Sequence, residues 1–549
     1  MRQFLRQCLP AISLSLITCL SIAAPSPAAE RIHFQYGLFG FSISRQELET
    51  FAETGASEGW LKKLLSQFKP ETQAQFRTAL NARYDVDPVL ANRLSYTRSG
   101  EQLLTEAGEL VKSPSGLNGF YGLRAALTLA AFDPEGLTLL NFVKHFPTDI
   151  RIDVGRALDI VRDLDGILTQ TEHALAKMAD HTAAIAAAEP TVDFSDLPDP
   201  RNPGKWAASV QTLRLYDDQR DRTLVVDLYT PETVISSDSA DRLPVIVISN
   251  GLGAKRSRFD ELAIHLASHG FAVAMPDHPG SDRQRLWEFD QGLHTENFDA
   301  AEYIDRPLDV SFLLDELTRL NAEQFENRLD PNQAGVFGYS FGGATALALA
   351  GAQIDRAHLS RDCATRSSLF NISLLYQCRA LELPAHSPDL KDERIQAVYV
   401  FVPFSRSLYG PQGMAQVEGP VFWEATDQDI LTPLIIEQLP AFSWLAPGGA
   451  ASTKSNLDTP ASNPDSEDDR YLAVTEGLPH ARLTLDVLNR LTDKNLDWAE
   501  IKPITETYHQ MLSVAFFQVH LADNPVYRPY LQARAAQHLT KPPYRINWK

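Results

Sequence analysis

The residues best able to do chemistry lie in Gly338-Tyr339-Ser340-Phe341-Gly342-Gly343. A short apolar run, Ala334 to Phe337, leads through this Gly-x-Ser-x-Gly into the Ala/Leu-rich run Ala344 to Ala350. This is the sequence form of a strand-to-helix elbow that lifts a serine hydroxyl above a sheet, beside a helix N-terminus. Gly338 and Gly342 fall where chains would pass too closely for a Cβ, and Gly343 lets the helix settle on the strand. A serine hydroxyl is a poor nucleophile until a base takes its proton. Imidazole serves as that base when a carboxylate fixes its tautomer.

On such an elbow the expected chain order is Ser, then Asp or Glu, then His. Downstream, Glu424-Ala425-Thr426-Asp427-Gln428-Asp429-Ile430-Leu431-Thr432-Pro433 ends a β-rich run, and Asp-x-x-Thr-Pro places Asp429 just past it. Asp429 is the expected acid. Asp427 is its rival, with the alternative role of a turn residue bonding local backbone. His480 closes Glu476-Gly477-Leu478-Pro479-His480 after the next β-rich run and is the expected base. His509, His520 and His538 sit in helical patterns, while His265, His269, His278, His294 and His358 precede the acid and break the order. A tetrahedral intermediate also needs two N–H donors for its oxyanion. Phe341, just after the serine, is one; Leu252, in Asn250-Gly251-Leu252-Gly253, is the other, with the glycines permitting close approach.

The elements that must carry these residues alternate. From Trp206 onward, Ser209 to Leu215 and Thr223 to Tyr229 read as an antiparallel pair. Val245 to Ser249, Ala272 to Pro276, Ala334 to Phe337, Ala397 to Phe401, Val421 to Ala425 and Tyr471 to Thr475 follow, with helical stretches between. Continuous β-branched runs suit strands buried on both faces, and the alternation implies a mainly parallel sheet with right-handed crossovers. Eight strands with the serine after the fifth is the layout of an α/β-hydrolase. Residues 447–470, rich in Gly, Ser, Asn, Pro and Asp, read as a disordered surface insertion, and the stretch from Leu483 to Lys549 as mostly helix.

Residues 30–165 carry helical patterns broken by turns, with Ser44-Arg45-Gln46-Glu47 in the form of a capping box. No useful strand run stands out there, so the segment is expected to be an all-helical N-terminal domain. A long helix and linker over 166–205 would join it to a catalytic domain spanning 206–549.

The chain of 549 residues is 44% hydrophobic and 22% charged, which suits a globular protein of two or three domains. Arg2 and Arg6, the apolar run Leu9 to Ala24 and the small residues Ser26-Pro27-Ala28-Ala29 have the form of a secretory signal peptide over 1–29, cleaved after Ala28 or Ala29. No later stretch is apolar for long enough to span a bilayer. Removal of the leader takes two arginines and no acids, so the formal charge moves from −20 to −22. Such acidity argues against nucleic acid as a partner. Cys8 and Cys19 leave with the leader, and Cys363 and Cys378 in an exported chain most simply make one disulfide. No metal-site spacing is present.

With the serine, Asp-x-x-Thr-Pro and the later His in place, the catalytic half resembles the α/β-hydrolases related to platelet-activating-factor acetylhydrolase and predicted dienelactone hydrolases. Further phrases carry the resemblance: Asn250 to Gly253, Leu266 to Phe271, Pro276-Asp277-His278-Pro279-Gly280-Ser281-Asp282, and Arg306-Pro307-Leu308-Asp309-Val310. Residues from Ala29 onward, including Phe39-Gly40-Phe41-Ser42-Ile43-Ser44, are similar to an uncharacterised helical domain fused to such hydrolases in cyanobacterial-type exported proteins. Related hydrolases often have His-Gly where this chain has Asn250-Gly251. The resemblance implies a cofactor-free serine hydrolase of carboxylic or acyl-lipid esters, in the periplasm or secreted. A peptidase on the same fold, or a binding protein that has lost turnover, are the alternatives, because one triad serves esters and amides and a fold alone fixes neither.

Overall fold

The fold is that of a computed structural model, which describes residues 28–84, 86–232, 242–386, 388–445, 469–482, 484–485, 489 and 496–548. Nearly all of the expected leader, and residues 447–468 of the expected insertion, lie outside the described residues. The chain forms two compact units, 1–162 and 163–549.

In the first unit the helices Arg45–Thr54, Gly59–Leu65, Pro70–Asn81, Pro88–Ser95, Arg98–Gly108, Phe120–Phe132 and Leu139–His145 follow the sequence punctuation. Ser44 closes the expected capping box: its hydroxyl accepts from the Glu47 N–H while the Glu47 carboxylate accepts from the Ser44 N–H.

The unit is not all-helical, however. It contains a four-stranded sheet of β1 (Arg31–Tyr36), β2 (Phe39–Ser44), β3 (Val111–Lys112) and β4 (Ile150–Asp153) in the order β2-β1-β4-β3. Arg-Ile-His-Phe-Gln-Tyr and Phe-Gly-Phe-Ser-Ile-Ser do alternate, but over six residues each, too short to outweigh the surrounding helical pattern. Gly37, at φ 57°, makes the turn between them. The sheet is completed by β4, more than a hundred residues away, and pairing at that distance leaves no local signature.

In the second unit, β5 (Ala208–Asp217), β6 (Arg222–Pro231), β7 (Leu243–Ser249), β8 (Ala272–Pro276), β9 (Leu329–Tyr339), β10 (Ile395–Phe401), β11 (Val421–Gln428), β12 (Arg470–Pro479) and β13 (Ile546–Trp548) form one sheet. Its order is β13-β12-β11-β10-β9-β7-β8-β6-β5. The six strands from β12 to β8 are parallel; β6 and β13 run antiparallel to them, and β5 pairs antiparallel with β6. All eight expected strands are present. The ninth, β13, is a three-residue edge strand that sequence periodicity cannot show.

Alternation along each strand feeds two cores. In β7, Val245 and Val247 join a core with Leu313 and Leu317 of the helix Glu302–Gln324 and Leu347 of the helix Phe341–Leu349. Ile246 and Ile248 join a second core with Leu262 and the aromatic run Phe516-Phe517 of the helix Trp498–His520. Burying each such side chain contributes about 1.5–3 kcal/mol.

The helix Val154–Ala188 begins in the first unit and continues into the second. Its later turns, read from sequence as a long helix joining the two domains, belong to the second unit. The Trp548 N–H donates to the Thr182 hydroxyl at 2.8 Å, and the carboxylate of Glu189, just past the helix, accepts from the Ala533 and Arg534 N–H groups.

Candidate active site

Ser340 directly follows β9 with φ 55° and ψ −111°, a backbone conformation that a β-carbon disfavours. It persists because the surroundings permit little else. The Ser340 N–H donates to the Phe401 carbonyl at 2.9 Å. A Cβ on Gly342 would stand 1.8 Å from the Ser249 carbonyl oxygen, one on Gly338 2.2 Å from the Gly342 oxygen, and one on Gly343 2.7 Å from the Pro403 ring. The elbow is a place where three chains touch.

His480 follows β12 and Asp429 follows β11, so both reach the C-terminal edge of the parallel strands, where Ser340 lies. The Ser340 hydroxyl is 3.1 Å from His480 Nε2, and His480 Nδ1 is 2.7 Å from Asp429 Oδ2. An ionised carboxylate only accepts, so Nδ1 carries the ring proton and Nε2 is left as acceptor for the serine.

Asp429 is held from its other side. Its Oδ1 accepts from the Leu431 and Thr432 N–H groups at 2.8 and 2.9 Å, and its Oδ2 accepts from the Thr432 hydroxyl. Burial alone would raise its carboxyl, but His480 and the Thr432 hydrogen bonds outweigh that and hold it below the ordinary carboxylate range. The rival Asp427 lies elsewhere: its Oδ1 accepts from the Gly477 N–H at 2.7 Å, tying the end of β11 to that of β12.

The loop after β7 lies against the elbow, so that a Cβ on Gly251 would be 3.4 Å from Ser340 Cβ. Among the described residues, neither the Leu252 nor the Phe341 N–H donates to a protein acceptor. Both expected oxyanion donors are therefore uncommitted.

Three contributors lay hidden in the sequence. Tyr339, a variable position of Gly-x-Ser-x-Gly, donates its hydroxyl to the His480 carbonyl at 3.0 Å. Thr432 grips the acid, and the Asp-x-x-Thr-Pro spacing was the signal available for it. Arg306 donates to the Asn250 carbonyl at 2.7 Å.

The three histidines downstream of His480 pack against aromatic rings. His509 stacks edge-on against Phe401 at 4.3 Å, His520 packs on Phe516 and His538 on Phe194. His278 makes a second Ser–His–Asp series, 3.0 Å from both Ser249 Oγ and Asp309 Oδ2. All three of its members are buried, whereas Ser340 is partly exposed.

Beside His480 a cavity of about 100 Å³ opens between Phe259, Leu262, Phe401, Pro479 and Trp498, with Arg258 and Lys502 among its polar lining residues. Cys363 and Cys378, as expected, are joined in a disulfide. Among the described residues no group of three or more His, Cys, Asp or Glu could hold a metal ion, and no helix is long and apolar enough to cross a membrane.

Residues 244–358, from β7 through the elbow, match the family model for the alpha/beta hydrolase fold. The second unit has the α/β-hydrolase fold. Residues 28–153 match a second family model, described as an alpha/beta hydrolase of unknown function (DUF1400), although this segment is the small sheet and its helices rather than the hydrolase sheet. The chain is 28% identical over 144 residues to platelet-activating factor acetylhydrolase of Canis lupus familiaris, a match covering 20% of this chain and 32% of the relative. It is 28% identical over 147 residues to the Cavia porcellus protein of that name, covering 20% and 32%. The Bos taurus protein is 27% identical over 144 residues, with the same coverage. The chain thus spans about a third of the length of the curated relatives it matches.

Proposed function

We propose that this hydrolase is an exported serine esterase acting on carboxylic esters, acyl-lipid or platelet-activating-factor-like esters among them. The hydrogen-bonded series from Ser340 through His480 to Asp429, 3.1 and 2.7 Å, carries the reading. The similarity to enzymes named as platelet-activating factor acetylhydrolases supports the substrate class.

In the proposed reaction Ser340 Oγ bonds to the ester carbonyl carbon as its proton passes to His480 Nε2. The carbonyl oxygen takes the negative charge, facing the Leu252 and Phe341 N–H groups. Each such donor lowers the barrier by about 3 kcal/mol. Collapse breaks the carbon–oxygen bond to the leaving alcohol, which takes the proton from His480. Water, losing its proton to His480, then attacks the acyl-Ser340 ester, and the serine leaves with that proton. Asp429 keeps the imidazole oriented and stabilises its charged form throughout.

Export is supported by the leader-like residues 1–29 and by the disulfide, which suits an oxidising compartment. Ala29 is buried, and its N–H donates to the Phe146 carbonyl at 2.9 Å, which favours cleavage at Ala28 over Ala29.

The test is hydrolysis of p-nitrophenyl esters from acetate to palmitate by the purified protein, with Ser340→Ala alongside. Turnover that the variant loses is expected, and the chain-length profile would define the acyl group. Equal rates for both proteins on every ester would overturn the esterase reading and turn attention to amides or to binding alone.

A further inference from the structure

Three sequence phrases that the triad does not use converge beneath the elbow. Asn250 to Gly253 forms the loop after β7, Pro276 to Asp282 the end of β8 and the loop after it, and Arg306 to Val310 lies in the helix Glu302–Gln324. Arg306 stands where they meet and is only 1% exposed.

We propose that Arg306 is the positioning residue of the oxyanion site, one guanidinium fixing both N–H donors at once. This rests on the esterase reading for its catalytic meaning and on geometry for the rest.

On the Leu252 side, Arg306 Nη1 donates to the Asn250 carbonyl at 2.7 Å, and Nε donates to Ser281 Oγ at 2.8 Å. The Ser281 carbonyl in turn accepts from the Gly253 N–H at 2.8 Å. The chain is therefore anchored on each side of Leu252, once by Arg306 directly and once through the serine that Arg306 holds. On the Phe341 side, the guanidinium carbon lies 4.3 Å from the centre of the Phe341 ring, an electrostatically favourable stack. Three directions from one rigid plane are a task for arginine: a lysine ammonium supplies the charge without the fork or the face.

The guanidinium is itself locked. The Ser281 hydroxyl donates to Glu302 Oε2 at 2.6 Å, and that oxygen lies 3.7 Å from Arg306 Nε. A Cβ on Gly280 would meet Glu302 Oε1 at 2.3 Å, so the loop closes tightly over the carboxylate. Burial lowers the Arg306 pKa to about 10, with Glu302 and Asp309 opposing the fall, so the group stays charged at neutral pH. The loop is held through the Asn250 main-chain carbonyl, which any residue type supplies.

The test compares wild type with Arg306→Lys and Ser281→Ala by two readouts. The first is the division between kcat and KM on a p-nitrophenyl ester. The second is amide hydrogen exchange at 250–254 and 341–343, which needs no turnover. For Arg306→Lys the expectation is a kcat at least tenfold lower, KM within twofold, and exchange at least tenfold faster in those two segments, with the strands of the large sheet unchanged. Ser281→Ala keeps the Asn250 contact and is expected to lower kcat at least threefold in the same pattern; it decides the matter if Arg306→Lys does not fold. A folded variant with kcat within twofold of wild type, or with wild-type exchange at both segments, would overturn the assignment. Wild-type protein that cleaves no ester would remove the esterase reading instead, and exchange would still decide whether Arg306 fixes the loops.

Discussion

The Tyr339 hydroxyl donates to the main-chain carbonyl of His480 at 3.0 Å, so the residue before the nucleophile holds the backbone of the base. The Tyr339 ring also lies 5.4 Å from the imidazole and under the Arg258 guanidinium. The backbone of His480 is thereby tied to Tyr339, the immediate neighbour of Ser340. Tyr339→Phe is expected to lower kcat about three- to tenfold with KM unchanged, and to lower stability by about 1 kcal/mol, the net contribution of one hydrogen bond. Steady-state kinetics and urea denaturation of the same preparation check both.

Gly342→Ala should be severe. The added methyl would sit 1.8 Å from the Ser249 carbonyl oxygen and 3.0 Å from that of Asn250, both backbone atoms of neighbouring chain that cannot swing aside. Overpacking of this kind costs about 1–3 kcal/mol where side chains can yield, and more where backbone must move. A loss of at least about 3 kcal/mol in urea unfolding is expected, with ester turnover reduced by a hundredfold or more in any folded fraction.

The two candidate acids separate cleanly. Asp429→Asn would leave His480 Nδ1 facing an amide able to donate as well as accept, favouring the wrong tautomer; kcat is expected to fall by about 10³–10⁴. Asp427→Asn would weaken the hydrogen bond from the Gly477 N–H and is expected to lower kcat less than tenfold. Paired kinetics of the two variants would detect a reversed order, which would reassign the acid.

Glu424 gives a pH signature in stability. Burial pushes its carboxyl up to about 8, against the hydrogen bond it accepts from the Tyr399 hydroxyl. Burial, aided by the charge of Arg258, lowers nearby His509 to about 3, so the 3.5 Å approach of His509 Nε2 to Glu424 Oε2 brings two neutral groups together near neutral pH. The unfolded chain releases the Glu424 proton near its ordinary value of 4.5, whereas the folded chain keeps it. The contribution of Glu424 is therefore fully present below about 4.5 and is lost as pH rises through about 8. Glu424→Gln should remove this fall, so that above pH 8 the variant is the more stable protein by several kcal/mol, at about 1.4 kcal/mol per pKa unit. Unfolding free energies of both proteins between pH 4 and 9 test the sign.

The disulfide between Cys363 and Cys378 closes a loop of sequence separation 15, and chain-entropy arguments give about 3 kcal/mol for such a closure. Replacing both cysteines by serine is expected to lower stability by about 2–3 kcal/mol. Thiol titration of the denatured wild type without reductant should find neither Cys363 nor Cys378 free.

The sequence by itself determined whatever is written locally. The Gly-Tyr-Ser-Phe-Gly-Gly elbow is a steric requirement expressed within six residues, and chain order with strand ends pointed to His480 and to Asp429, with Asp427 as its rival. The parallel strands were legible because burial on both faces demands continuous β-branched runs, and the helices of the first unit because caps and prolines punctuate them. Tertiary structure decided what distance along the chain conceals. β4 pairs with β1 from more than a hundred residues away, and β13 is too short to show a period. Tyr339 and Arg306 hydrogen-bond to main-chain carbonyls of His480 and Asn250, and every residue carries a carbonyl. Residue type therefore marks the donor but not the acceptor, and only the packing of strands and helices brings the two within 3 Å.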